Sequence, residues 1–150
     1  MTPARRGGKK SDPKGFSAEE KAAARETVRE RQVDWGKLSS EESERIVVEK
    51  IAEFPEPDRS LATRFHRIVR ASAPHLKPRL WYGMPAYSKE GQVVCYFQNA
   101  SKFKVRYATI GFSDEAKLDD GKIWPVVYAL LELTPSEEAK IGALVRKAVG

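Results

Sequence analysis

A single cysteine, Cys95, and two histidines, His66 and His75, are all the soft or imidazole ligands in this 150-residue sequence. One cysteine excludes an intramolecular disulfide, and with two histidines it falls short of a structural zinc site. Long apolar runs are also missing. The longest, Trp124 to Leu131, contains Pro125 and is far below the ~20 residues that span a bilayer. No apolar stretch of signal-peptide length follows the basic N-terminus, so the sequence reads as cytoplasmic, with a reduced thiol and no membrane partner. There is no Gly-rich phosphate loop, no HExxH, no GxSxG and no CxxC. Cys95 lies between Val94 and Tyr96 and reads as a buried apolar side chain, not a nucleophile. The two histidines have no evident partner. The sequence therefore leans away from an enzyme.

Acid is scarce in one long stretch. Residues 59–112 hold ten Lys or Arg and a single acid, Glu90. Residues 41–58 are the reverse, with Glu41, Glu42, Glu44, Glu49, Glu53, Glu56 and Asp58 against Arg45 and Lys50. Residues 1–15 add Arg5, Arg6, Lys9, Lys10 and Lys14 against Asp12, and the whole chain carries +6. Such blocks are either the solvated faces of separate elements or binding surfaces of opposite sign. Hydrophobic residues make up 41% and charged residues 32%, which suits one globular domain with a polar tail.

Local patterns predict the elements. Residues 1–15 have almost no apolar content and read as a disordered basic tail. Residues 16–40 read as a helical extension: Ser17 and Glu20 have capping-box spacing, and the thin apolar face of Ala22, Ala23 and Val28 could lie on a protein partner. Residues 41–150 read as the folded domain. Ser39 or Ser40 caps a helix running to about Phe54, and Asp58 caps another that ends at Pro74. Arg79 to Tyr82, Gln92 to Phe97 and Phe103 to Phe112 read as antiparallel strands, and Ile123 to Leu133 as a further one. In the third of these, Lys102, Lys104 and Arg106 alternate with Phe103, Val105 and Tyr107, which predicts a basic sheet face. Thr134-Pro135-Ser136-Glu137 opens a last helix. The expected fold is α+β and two-layered: about four to five antiparallel strands, with paired N-terminal helices and a C-terminal helix on one face.

The most distinctive segment is Trp81-Tyr82-Gly83-Met84-Pro85-Ala86-Tyr87. It reads as a strand-to-strand corner, and Trp81, Tyr82, Gly83, Met84, Pro85 and Tyr87 are also candidates for a pocket wall. Tyr82 to Tyr87 resembles the signature of the YdhG-like family of bacterial domains of unknown function, and the element order over roughly residues 43–149 is similar. The resemblance implies a two-layer α+β fold akin to frataxin-like and YjbR-like domains. Some members of the family are described as iron chaperones, and YjbR-like relatives have been proposed to bind DNA. The family has no established catalytic residue to carry over, and residues 1–40 exceed its short members.

Two readings follow for a small binding or accessory protein. An iron-binding reading rests on the resemblance and on the spacing of Glu42, Glu49, Glu53 and Glu56, a set of hard oxygen ligands without His or Cys. An anionic-ligand or nucleic-acid reading uses Lys102, Lys104 and Arg106 with the tail residues Arg5, Arg6, Lys9 and Lys10. On that reading most of the affinity comes from the tail, because bases on a strand face are usually its solvated side.

Overall fold

The computed structural model describes residue 30 and residues 32–150. The predicted tail and the helix from Ser17 lie outside the described residues, as do Arg5, Arg6, Lys9 and Lys10. The chain divides into two compact units, Met1–Val33 and Asp34–Gly150. Nearly all described residues belong to the second.

The second unit is an α+β fold with a five-stranded antiparallel sheet. Helices α1 (Ser40–Ala52) and α2 (Asp58–Ser72) come first. Strands β1 (Lys77–Trp81), β2 (Met84–Lys89) and β3 (Gln92–Gln98) follow. A single helical turn, α3 (Ala100–Phe103), precedes β4 (Ala108–Phe112), β5 (Val127–Leu130) and α4 (Pro135–Val149). The spatial order is the chain order, β1 to β5. Each strand therefore pairs with its sequence neighbour, a meander that needs no crossover.

Local chemistry fixes the helix starts. The Ser39 hydroxyl accepts the Glu42 N–H at 3.0 Å, and the Glu42 carboxylate accepts the Ser39 N–H at 2.8 Å. This reciprocal cap satisfies donors that the first helical turn leaves unpaired. Thr134 and Glu137 repeat the device at α4, with Pro135 in the first helical position. The start of α2 differs from expectation. Pro57, not Asp58, is its N-cap residue. The Glu56 carboxylate takes the Ser60 N–H at 3.1 Å, which frees Asp58 for another task.

Two tight hairpins build the centre of the sheet. Trp81 pairs with Met84 across Tyr82-Gly83, and Lys89 pairs with Gln92 across Glu90-Gly91. All four turn residues have positive φ: 53° and 76° in the first turn, 51° and 82° in the second. Two-residue turns of this kind match the right-handed twist of the strands they join. Strand β2 was not expected, since the segment Trp81 to Tyr87 reads as a corner between strands; Pro85 is accommodated within the strand. Pairing with β3 starts at Ala86, so the N–H that Pro85 lacks falls outside that ladder.

The core lies between one sheet face and α1, α2 and α4. Phe65 of α2 packs edge-on against Tyr87 at 5.7 Å between ring centroids and lies 6.2 Å from Phe97, which also meets Phe54. Ile141, Val145 and Ala148 of α4 are buried, and Arg64 of α2 reaches Glu138 of α4 at 2.7 Å. The other face carries Arg79, Trp81, Tyr96 and Gly111. Tyr96 is opposite Gly111, where a Cβ would fall 2.1 Å from the ring, so only glycine leaves it room. The Lys77 ammonium donates to the carbonyls of Trp35 and Leu38 at 2.6 and 2.5 Å, which ties the segment before α1 to the edge of the sheet. No described helix is long and apolar enough to cross a membrane.

Candidate nucleic-acid interface

Two polar constellations stand out, one closed and one open. The closed one joins Glu44 of α1, His66 of α2 and Tyr87 of β2. His66 Nδ1 is 2.9 Å from the Tyr87 hydroxyl, and His66 Nε2 is 2.8 Å from Glu44 Oε2. A carboxylate can only accept, so Nε2 carries the proton and donates to it. Nδ1 is left to accept the Tyr87 O–H. Arg70 Nε lies 3.5 Å from the same carboxylate oxygen. Burial pulls the His66 pKa down; Glu44 opposes this, and Arg70 and Arg67 add to it. Cys95 sits opposite Tyr87 in the ladder, and burial pushes its thiol up to about 12. Tyr87 and Cys95 are fully buried. The arrangement specifies how the helices seat on the sheet and exposes neither group to a substrate. The pairing of His66 escapes sequence reading because Glu44 and Tyr87 are each more than twenty positions away along the chain.

The open constellation lies at one end of the sheet, where the β1–β2 turn meets the β3–β4 connection. The structure corrects the expected basic strand here. Strand β4 begins only at Ala108, and Lys102, Lys104 and Arg106 lie in α3 and the loop after it, off the sheet face. The cause is Asp58. Its buried carboxylate accepts the N–H of Ala100 at 3.2 Å and of Ser101 at 2.9 Å, which winds the chain into a helical turn. A long-range side-chain cap outweighs the period-two alternation of residues 102–107. Lys104 ends the turn in the left-handed region, at φ 53°.

This placement brings together residues that the sequence keeps twenty positions apart. Lys102 Nζ donates to the Tyr82 carbonyl at 2.9 Å. Lys50 of α1 is close enough that the Lys102 charge, after the larger effect of burial, helps to lower its pKa; Glu53 opposes both. Lys102 stands 5.8 Å from the Phe103 ring centroid and Arg106 stands 5.2 Å from that of Tyr107. Tyr82 is 70% exposed, and Phe103 and Val105 are 47% exposed. Trp81 lies between Tyr82 and Tyr96, at 5.3 and 5.5 Å, and continues the aromatic row onto the outer sheet face. No acid occurs in residues 91–113. Two non-glycine residues with positive φ, Tyr82 and Lys104, hold their side chains at the two loops of this end. Such conformations cost about 1–3 kcal/mol each and concentrate at functional sites.

The six pocket-wall candidates separate. Tyr87 points into the core, Met84 and Pro85 are buried in β2, and Trp81, Tyr82 and Gly83 form the outer turn. The iron candidates do not assemble either. Glu42 caps α1, Glu53 pairs with Lys50 at 3.6 Å, and Glu56 holds Arg59 and Ser60. Glu49 is exposed on α1. Among the described residues no group of three His, Cys, Asp or Glu could hold a metal ion. Comparison with protein-family models, curated proteins and solved structures finds no match to this chain.

Proposed function

We propose that this chain is a binding protein without catalytic machinery whose ligand is single-stranded nucleic acid, held at the sheet end formed by Tyr82, Lys102, Phe103, Lys104 and Arg106. The observation that carries this reading is the alternation of cations with exposed rings on two strained loops. A single strand alternates phosphate with an unstacked base, and it is bound by grooves that alternate positive charge with stacking surfaces. A free phosphate or carboxylate needs the cations but gains nothing from Tyr82 and Phe103. The YdhG-like resemblance is compatible with this reading, through the DNA binding proposed for YjbR-like relatives, but does not carry it.

The test is fluorescence anisotropy with a labelled oligothymidylate at several salt concentrations. The tail is removed from the question by using the full chain with Arg5, Arg6, Lys9 and Lys10 all changed to alanine. That protein should bind with a salt slope of about −0.7 per neutralised phosphate. Adding Lys104→Ala and Arg106→Ala should flatten the slope. Adding Tyr82→Ala and Phe103→Ala should weaken binding at unchanged slope, by about 1–3 kcal/mol per lost stack. Binding that vanishes with the tail charges alone would overturn the proposal.

A further inference from the structure

The two edges of the sheet are built in opposite ways. The β1 edge carries Lys77, Pro78 and Arg79, and its first lysine is engaged by the Trp35–Leu38 segment. Proline, charge and a covering segment are the usual protections of a strand edge. The β5 edge is different: the strand itself holds no charge, and its nearest proline, Pro125, lies just before it. Phe112 N–H donates to the Val126 carbonyl at 2.8 Å, and Ile110 and Ala108 pair with Tyr128 and Leu130. The N–H and C=O of one strand residue point to the same side, so Val126, Tyr128 and Leu130 face β4. Val127 and Ala129 turn theirs to the open edge. The side chains there are apolar and exposed: Val127 at 57%, Leu131 at 61% and Ile123 at 88%. Residues 123–131 contain no charge at all, while Lys122 precedes them and Glu132 follows.

We propose that a second copy of this chain pairs antiparallel along β5, with Val127 of each copy opposite Ala129 of the other and the two-fold axis at Tyr128. In this register the outward N–H and C=O groups of Val127 and Ala129 exchange hydrogen bonds with those of the second copy, and Pro125 is not asked to donate. Charge complementarity selects the second copy and its direction. Antiparallel pairing in this register brings Lys122 of each copy within two positions of Glu132 of the other, at both ends of the contact. Parallel pairing would set lysine beside lysine. Such a contact is isologous, closes at two, and makes one continuous ten-stranded sheet from two five-stranded ones.

Sedimentation equilibrium of the full chain over a concentration series tests this. A reversible monomer–dimer equilibrium is expected. Val127→Lys sets a charge in the contact, and Ala129→Pro removes an outward N–H without touching the bonds to β4; both should yield monomer with an unaltered far-UV circular dichroism spectrum. Lys122→Glu should weaken the dimer about tenfold, since it sets two like-charge pairs in place of two opposite ones. Adding Glu132→Lys to it should restore the dimer. A chain that stays monomeric at about 0.5 mM overturns the proposal, because a contact weaker than that is not specific. So does a dimer indifferent to Val127→Lys, or one that the charge swap fails to restore. Capture of an extended peptide by a monomeric chain would assign the edge to another occupant and also overturn it.

Discussion

The Glu44–His66–Tyr87 chain and the Tyr82–Lys102–Lys104–Arg106 cluster are both polar, both hang on β2 or its turn, and have opposite physical characters. In the first, every polar atom named has a partner at 2.8 or 2.9 Å, His66 and Tyr87 are buried and Glu44 is half-buried. In the second, cations and rings face water, and the backbone beneath Tyr82 and Lys104 is held in a conformation that side chains resist. A satisfied buried network stabilises one arrangement of the helices on the sheet. A strained exposed cluster costs stability, and such conformations concentrate at functional sites. Breaking the network in the first place and relieving the strain in the second should therefore change stability in opposite directions.

The largest effect should come from the closed network. His66→Ala removes a ring between α1, α2 and β2 and leaves the Tyr87 hydroxyl without its acceptor in a fully buried site. The cavity and the unpaired hydroxyl together should lower unfolding free energy by about 3–5 kcal/mol, measured by urea denaturation. Oligonucleotide affinity of the folded fraction should stay the same. A loss under about 1 kcal/mol would mean that the network does not hold the helices.

Gly83→Val comes next. Gly83 has φ 76° in the first hairpin turn, where a β-branched residue is strained by about 1–3 kcal/mol. Denaturation midpoint and oligonucleotide affinity should fall together here, since the turn also carries Tyr82. An unchanged midpoint would show that the turn relaxes to another type.

Acid should separate the two regions further. Burial lowers the His66 pKa in the fold, while in the unfolded chain it returns to about 6.5. Above pH 6.5 both states hold neutral imidazole and the full stability is present. As pH falls below 6.5 the unfolded chain takes up the proton first, so stability declines until the folded-state pKa is passed. Unfolding free energies at pH 7.5 and pH 5.5 should differ in this direction, and His66→Gln, which cannot titrate, should remove that part of the difference. A pH dependence equal in both proteins would assign it to other groups.

The two regions were not equally legible in the sequence. The helix caps at Ser39 and Thr134 depend on residues a few positions apart, and they form where the sequence places them. Strand β2 was hidden because Gly83 and Pro85 read as a corner, and only the pairing on both sides makes Met84 to Lys89 a strand. The helical turn at Ala100 was hidden because its cap, Asp58, is more than forty positions upstream. That one carboxylate moved all three bases from a sheet face to a loop cluster and brought Lys102 onto Tyr82. The candidate cations were visible; their company was not. The acidic candidates were equally visible and are spent on helix caps and local ion pairs, uses that spacing alone does not distinguish from ligation.

Lys104→Gly gives the smallest effect and the sharpest contrast. Lys104 is exposed and holds φ 53° at the end of α3. Glycine adopts that conformation without the Cβ penalty that lysine bears, at the cost of a more flexible unfolded chain. The position ends a helical turn, where glycine is the favoured residue, so the net change should be a stabilisation of about 0.5–1 kcal/mol. The same substitution removes one cation from the proposed interface, so the salt slope of oligonucleotide binding should shrink by roughly 0.7. A more stable protein that binds less tightly is the signature expected of a residue kept for its charge at the expense of the fold. Paired urea denaturation and anisotropy titrations on the one variant would read both signs. Destabilisation would show that the lysine side chain itself holds the turn. Unchanged binding would leave its strained backbone without a functional reason.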